Sequence, residues 1–258
     1  MSGLSEERVS GDETGNLQLC LDIAKRGYIA QCGFDWEIFR PSDVPSFSCD
    51  LSQLELEHMV RHSKLSSFWG QISYRLYHVM TTNCIFAYGY HQIENQFSDS
   101  SERFGVQSRF QDEYENFIFR LYAFGERLAQ LSNIYHRRGL EFEKIRADYW
   151  DKLKKDNISD AFTDAVGKFR DSESVLKFMK LRKSMTHHFD LDLVGIGWPY
   201  HKEIRNEAGV INQVNLGTSY PGRLNFELAL VDLRAVFSQV TQLLVDLEPV
   251  IFRALENH

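Results

Sequence analysis

The stretch FQDEYENFIFRLYAFGERLAQLSNIY, residues 110–135, decides the fold class of this chain. Its apolar residues recur at alternating steps of four and three, and they are Phe110, Tyr114, Phe117, Leu121, Phe124, Leu128, Leu131 and Tyr135. This spacing draws one apolar seam along a helix that packs nearly parallel or antiparallel to a neighbour. The following Arg137-Arg138-Gly139 predicts the helix end, with cations near the C-terminal dipole and a glycine cap.

A second seam of the same kind lies near the end of the chain. Its members are Leu230, Leu233, Phe237, Val240, Leu244, Leu247 and Ile251. Apolar residues at helical spacing predict four further helices. One contains Ile72, Leu76, Val79, Phe86, Tyr90 and Phe97, and the next contains Phe142, Ile145, Tyr149 and Leu153. A shorter one contains Phe162, Ala165, Val166 and Phe169, and the last runs through Val175, Phe178 and Met179 to about His187. Two long seams with several other helices predict a mainly α protein, an antiparallel helical bundle.

The remaining segments set the predicted domain limits. Residues 1–50 read as a polar N-terminal arm followed by an irregular, aromatic-rich cover, and residues 51–258 as the bundle domain. The capping-box pattern Ser52-x-x-Glu55 predicts where the helical body begins. Ser98–Gly105 is predicted as a loop. Near residues 200–216 the apolar period changes, and a turn at Asn206–Gly209 between Ile204 and Val214 predicts a small inserted β-hairpin.

Composition excludes several functional classes. The 258 residues carry a net charge of −7, so any polyanion must be met by a local basic patch. The four cysteines lack metal-site spacing and read as reduced thiols of a cytoplasmic protein. No apolar run approaches the roughly 20 residues of a membrane span. A lone Glu55-x-x-His58 is too little for a di-iron bundle, and no Walker loop is present. The sequence therefore predicts no membrane partner, no metal and no cofactor.

The stretch that suggests chemistry is Lys180-Leu-Arg182-Lys183-Ser-Met-Thr-His187-His188. Arg182 follows Phe178 by four residues and Val175 by seven, so the apolar stripe carries an arginine onto the core-facing side of its helix. Six Lys or Arg lie between Lys168 and His188, which is the local basic patch that a polyanion needs. Arg-to-His spacings of this kind arise about twice by chance in a chain of this composition. The other pair, Arg253 and His258, lies at the chain end.

This stretch resembles the Arg-x4–6-His signature of the HEPN superfamily (higher eukaryotes and prokaryotes nucleotide-binding domains). The resemblance covers about residues 52–255, with long helices before the signature and one after it. Lys183 stands where family members often have Asn, Asp or His. The resemblance implies a ribonuclease of toxin–antitoxin or antiviral type that cleaves RNA at the cleft of a homodimer, with an antitoxin or regulator as a further partner. It places Arg182 and His187 at the catalytic positions, with Lys180, Lys183 and His188 as binding residues.

The implied chemistry fits the residue types. A histidine with a pKa of about 6.5 exchanges protons near neutrality. A bidentate guanidinium stabilises charge on phosphoryl oxygens without a metal. In the alternative interpretation, Arg182 pairs with an acid such as Glu113, Glu115 or Glu126, and the chain is a catalytically silent helical dimer that binds a nucleotide or a partner protein.

Overall fold

A computed structural model of the chain describes residues 34–45, 56–94, 100–145, 149–187, 198–205, 211–219 and 226–256. In that part the chain is mainly helical, and the helices pack into a bundle. The helices are α1 (Leu56–Gly70), α2 (Tyr77–Glu94), α3 (Ser100–Tyr135), α4 (Tyr149–Lys155), α5 (Ala161–Arg170), α6 (Glu173–His187) and α7 (Phe226–Glu256). A π-helical segment (Gln71–Leu76), a 3-10 turn (Phe142–Lys144) and the strands β1 (Trp198–Arg205) and β2 (Ile211–Ser219) complete the described elements.

The two apolar seams are confirmed as the core of the bundle. Seven of the eight α3 positions are buried, and Tyr135 at the helix end is half-buried. All seven predicted positions of α7 are buried as well. The apolar positions predicted around Phe162 to Phe169 are the buried face of α5. The three-and-four spacing therefore identified the faces that three of the helices bury.

The helix before α3 departs in part from its predicted stripe: Ile72 and Tyr90 are buried as predicted, but other members are not. It runs from Leu56 to Glu94, and the six-residue π segment lies between α1 and α2 with helical backbone on both sides. A π turn uses one residue more than an α turn, so the buried face shifts by about one position in sequence. Leu76, Val79 and Phe86 are consequently only half-buried, whereas Tyr77, Met80, Cys84 and Ala87 form the core face of α2. The predicted capping box at Ser52 and the predicted stripe member Phe97 lie outside the described residues.

The long helices pack against one another side by side. Residues 95–99 join α2 to α3, and the side chains of Glu94 and Asn83 contact Gln107 and Glu113 respectively. This pairing fixes the two helices as antiparallel. Helix α7 lies against both: the Phe110 and Phe226 rings meet edge to face with centroids 4.7 Å apart. On the other side, the Tyr77 hydroxyl hydrogen-bonds Thr241 at 2.8 Å.

Two predicted local boundaries were wrong. The predicted loop Ser98–Gly105 is helical from Ser100 onward, because polar residues at a helix start read like loop residues in sequence. The predicted helix from Phe142 to Leu153 is instead a 3-10 turn followed by α4. Ile145 between them has an extended backbone (φ −82°, ψ 107°), which ends the turn.

Residues 34–45 form an irregular segment that lies over α2 and α7. Phe34, Trp36 and Phe39 are buried in the main core. The backbone N–H of Phe39 donates to the Tyr77 hydroxyl at 2.9 Å, and that of Ser42 donates to Glu248 Oε1 at 2.8 Å. Aromatic burial and these bonds hold a segment that has no regular secondary structure.

Strands β1 and β2 pair antiparallel between α6 and α7 in the chain. The register aligns Trp198 with Ser219 and Glu203 with Val214, and it shifts between Ile204 and Arg205. The predicted turn at Asn206–Gly209 lies outside the described residues.

Helix α3 ends in a Schellman motif whose left-handed residue is Arg137. The N–H of Arg138 donates to the Asn133 carbonyl at 3.0 Å, and the N–H of Arg137 donates to the Ile134 carbonyl at 3.2 Å. This is the motif's usual bonding pattern, and its left-handed position normally holds glycine. Here Arg137 has φ 54°, whereas the predicted glycine cap, Gly139, lies two residues further along. The cap prediction was therefore displaced by two positions.

We expect Arg137→Gly to stabilise the protein by about 1 kcal/mol, because a left-handed backbone costs an L-residue about 1–2 kcal/mol that glycine avoids. Urea unfolding followed by circular dichroism measures the change. Asn157→Gly is the matched control: Asn157 holds the same position after α4 with φ 53°, and asparagine tolerates it. A gain at Asn157 equal to that at Arg137 would contradict the strain assigned to Arg137.

Helix α7 is the one described helix long and apolar enough to cross a membrane, judged by length and composition. Half of its most apolar 18-residue window is buried inside the bundle. The core helix of a bundle satisfies the same criterion, so the predicted absence of a membrane partner stays a prediction.

Candidate functional site

Arg182 lies on the inward side of α6, as its spacing from Val175 and Phe178 predicts. Both apolar residues are buried, and Arg182 is half-buried one turn further on. Its guanidinium carbon lies 3.3 Å from the centre of the Tyr122 ring on α3. Such stacking engages the face of a guanidinium, while its N–H donors lie in the guanidinium plane. Tyr122 therefore positions the Arg182 guanidinium by stacking on its face, and this contact does not involve the guanidinium N–H donors.

The helix geometry separates Arg182 from the predicted catalytic histidine. Helix α6 continues to His187. Five residues of α-helix correspond to about 7.5 Å along the axis and about 140° around it. Lys180, Lys183 and His187 share one face of α6 by this count, and Arg182 belongs to another. The His187 side chain and the whole of His188 lie outside what the structure describes.

The basic run from Lys168 to His188 does not form one continuous patch among the described residues. Lys177 forms an ion pair with Asp232 on α7. Arg170 lies over the Trp150 ring, 5.5 Å from its centre. Lys180 and Lys183 are exposed at the C-terminal end of α6. The predicted patch is thus divided between an ion pair, an aromatic contact and an exposed pair of lysines.

The acids considered as alternative partners of Arg182 have other contacts. Glu113 accepts a hydrogen bond from Asn83 Nδ2 at 2.5 Å, and Glu115 accepts one from Gln111 Nε2 at 2.7 Å. Glu126 is exposed. Arg182 itself is positioned by its stacking on Tyr122.

Burial raises the pKa of Glu113, with Asp112 adding to the rise, while the Asn83 hydrogen bond and Arg109 oppose it. A pKa above the unfolded value means that the folded chain binds this proton more tightly. The resulting stability is full below the unfolded pKa of 4.5 and is lost as pH rises through the folded pKa. We therefore expect Glu113→Gln to be more stable than wild type at neutral pH and to lose less stability between acid and neutral pH.

Urea unfolding at a series of pH values tests this expectation, with Glu126→Gln as the control because Glu126 is an exposed glutamate on the same helix. Wild-type and Glu113→Gln curves that run parallel across the series would contradict it.

An apolar pocket of about 250 Å³ lies beside the Tyr122 contact, enclosed by α3, α4, α5 and α6. We call it the Trp150 pocket. Its lining residues are Leu121, Tyr122, Gly125, Glu126, Leu128, Ala129, Ile145, Trp150, Val166, Phe169, Arg170, Val175, Leu176 and Met179. Nothing in the sequence pattern marked it, because its residues come from five separate segments.

A second, wider concavity lies between α1 and the end of α3, and it is lined by basic residues that include Arg61, Lys64 and Arg137. Arg61 donates to the Tyr135 carbonyl at 3.2 Å. Cations commonly occupy this position, because the last carbonyls and the dipole of a helix attract them. The end of α3 thus explains this basic cluster.

Ser132, His136 and Asp160 form a constellation that the sequence prediction missed. Ser132 Oγ lies 3.0 Å from His136 Nδ1, and His136 Nε2 lies 3.0 Å from Asp160 Oδ2. The Ser132 carbonyl oxygen also lies 2.8 Å from Nδ1, and the Tyr149 hydroxyl donates to Ser132 Oγ at 3.1 Å. Ser132 is fully buried. The constellation joins α3 to the start of α5 and is not a nucleophilic site.

Within the described residues no group of three or more His, Cys, Asp or Glu side chains lies close enough to hold a metal ion. Comparison of the chain with models of known protein families, with curated proteins and with solved structures gives no match.

Proposed function

We propose that this protein is a HEPN-like, metal-independent endoribonuclease that acts as a cytoplasmic homodimer. The observation that carries the proposal is the stacking of Arg182 on Tyr122 beside the exposed Lys180 and Lys183, near the end of α6. The position of this helix, before the last long helix of a bundle, agrees with the family's arrangement. We further propose that β1 and β2 belong to a hairpin inserted into that bundle. A role in defence, with an antitoxin or regulator as partner, follows from the same resemblance.

The proposed reaction is cleavage of RNA by its own 2′-hydroxyl. The 2′-oxygen loses its proton to a base and bonds to the adjacent phosphorus, and the bond from phosphorus to the 5′-oxygen breaks. The departing 5′-oxygen takes up a proton, so the products are a cyclic phosphate and a 5′-hydroxyl end. Arg182 is assigned to the phosphoryl oxygens and His187 to proton transfer, with Lys180, Lys183 and His188 binding the RNA backbone.

The geometry of α6 supports the dimer in this proposal. One chain places Arg182 and His187 about 140° apart around the helix, so a second copy is needed to bring both residue types to one phosphate. Each cleavage also requires one group that accepts a proton and another that donates one. Two copies of His187 facing each other supply both groups.

Incubation of the purified protein with mixed RNA in EDTA tests the proposal. We expect the wild type to leave cyclic phosphate ends and Arg182→Ala/His187→Ala to cut at least about a hundredfold more slowly. Arg253→Ala/His258→Ala is the matched control, because it removes the other Arg-to-His pair of the chain. Equal cleavage by wild type and the Arg182 variant would exclude the assigned site.

The same angular separation favours a second candidate function, a catalytically silent bundle that binds a nucleotide or a partner protein. A wild-type protein that dimerises and leaves RNA intact, both alone and with EDTA replaced by magnesium, would select this candidate.

A further inference from the structure

We propose that the Trp150 pocket binds a small carboxylate with an unbranched apolar body, of the size of a medium-chain fatty acid, and that Arg170 holds the carboxylate. This inference stands independently of RNA cleavage. It depends on the size of the pocket, its apolar lining and the charge of Arg170.

The size of the pocket sets the size of the ligand. A volume of about 250 Å³ lies just below the range of about 300–1,000 Å³ that holds drug-sized molecules. With roughly 30 Å³ for each water-sized group, it takes on the order of eight such groups. A chain of about eight carbons fills that space.

The lining sets the chemistry of the ligand body. Leu121, Leu128, Val166 and Phe169 are buried residues whose side chains face the pocket. Leu176 and Met179 also line it and are 46% and 37% exposed. Their exposure shows that the pocket opens to solvent on the α6 side. Burying the ligand there removes apolar surface on both sides from water.

Arg170 supplies the charge that a carboxylate requires. It is half-buried at the end of α5 and rests on the Trp150 ring. Within the described part of the chain, no carboxylate lies within ion-pair distance of its guanidinium. Partial burial lowers the pKa of Arg170, while Asp151 and Asp171 at longer range raise it. A guanidinium in this position pairs with a carboxylate by two parallel hydrogen bonds.

Gly125 is the glycine that lines the α3 wall of the pocket. It lies within the 36-residue helix α3, where glycine costs about 1 kcal/mol relative to alanine. A Cβ atom at this position would meet no atom within 4 Å. A larger side chain at this position would therefore take up space beside the pocket that Gly125 lines.

Titration calorimetry with octanoate tests the proposal on the full chain. We expect saturable binding to wild type, no binding to Gly125→Leu, and binding at least about tenfold weaker to Arg170→Gln. Arg170→Lys should lie between wild type and Arg170→Gln because it keeps the charge. Gly167→Leu is the matched control: Gly167 is a helical glycine with equally open surroundings that does not line the pocket. Thermal unfolding of each variant shows that it is folded.

A ligand series on wild type decides the matter even if a variant fails to fold. Affinity should rise with chain length up to about eight carbons and then level off, because the pocket is then full. Octan-1-ol should bind more weakly than octanoate because it lacks the charge. Tighter binding of octylamine than of octanoate would overturn the assignment, since Glu126 would then select the ligand. Absence of octanoate binding at about 10 mM, a concentration that detects even weak sites, would also overturn it.

Discussion

Phe117→Ala is expected to lower the free energy of unfolding by about 3–5 kcal/mol, the cost of removing a fully buried aromatic ring. Phe117 is 0% exposed at the centre of the α3 seam. Its ring meets that of Phe178 on α6 edge to face, with centroids 5.9 Å apart. Alanine would lose the apolar burial and leave a cavity between two helices that the bundle cannot fully close.

Urea unfolding followed by circular dichroism measures this loss. Phe119→Ala is the matched control, because Phe119 lies two residues away on the same helix and is 44% exposed. We expect the control to change stability by no more than about 0.5 kcal/mol, as most surface substitutions do. A loss of less than about 1 kcal/mol at Phe117 would mean that the seam is not packed as described.

Asp160→Ala is expected to cost about 2–3 kcal/mol, because one carboxylate performs two structural tasks. Its Oδ1 accepts the Thr163 N–H at 2.9 Å and so caps the start of α5 in a capping box. Its Oδ2 contacts His136 Nε2 at 3.0 Å and so connects α5 to the end of α3. Alanine would leave both nitrogen groups without this acceptor.

Two further variants separate the tasks of Asp160. Asp160→Asn should retain most of the cap, since asparagine caps helices as well as aspartate, and should lose mainly the His136 contact. Asp164→Ala removes an exposed acid from the first turn of the same helix and serves as the control. Unfolding by urea should rank the losses in the order Asp160→Ala, Asp160→Asn, Asp164→Ala. Equal losses for the two Asp160 variants would assign the whole effect to His136.

The helices that the sequence predicts best are those whose apolar residues are uninterrupted. In the α3 and α7 seams the alternating three- and four-residue spacing continues over seven or eight apolar residues, so each residue supports the same helical period. Tertiary packing does not alter that period. Helix α2 was harder, because the π segment at Gln71–Leu76 changes the count without any change in composition. The segment contacts α3, and a single sequence does not display such contacts.

Part of the candidate site was likewise predictable from the sequence, and part was not. The inward position of Arg182 follows from its spacing and was predictable from Val175 and Phe178 alone. The contact with Tyr122 was not, since it joins two helices about 60 residues apart in sequence. The Ser132–His136–Asp160 constellation and the Trp150 pocket depend on the same long-range packing. The spacing of residues in the sequence therefore predicts the helix face on which a side chain lies, whereas the tertiary structure determines which residues that side chain contacts.

The π segment also bears on which changes of chain length this helix can absorb. A single residue inserted into an α-helix rotates everything after it by about 100°, and a π turn accommodates that residue while the flanking turns keep their faces. Loss of one residue within 71–76, such as the exposed Tyr74, would restore a regular helix and leave the core face of α2 in place. The same deletion just after the π segment, between Tyr77 and Val79, would carry Met80 and Cys84 out of the core. Within the helix from Leu56 to Glu94, natural relatives that differ by one residue should therefore differ between residues 71 and 76.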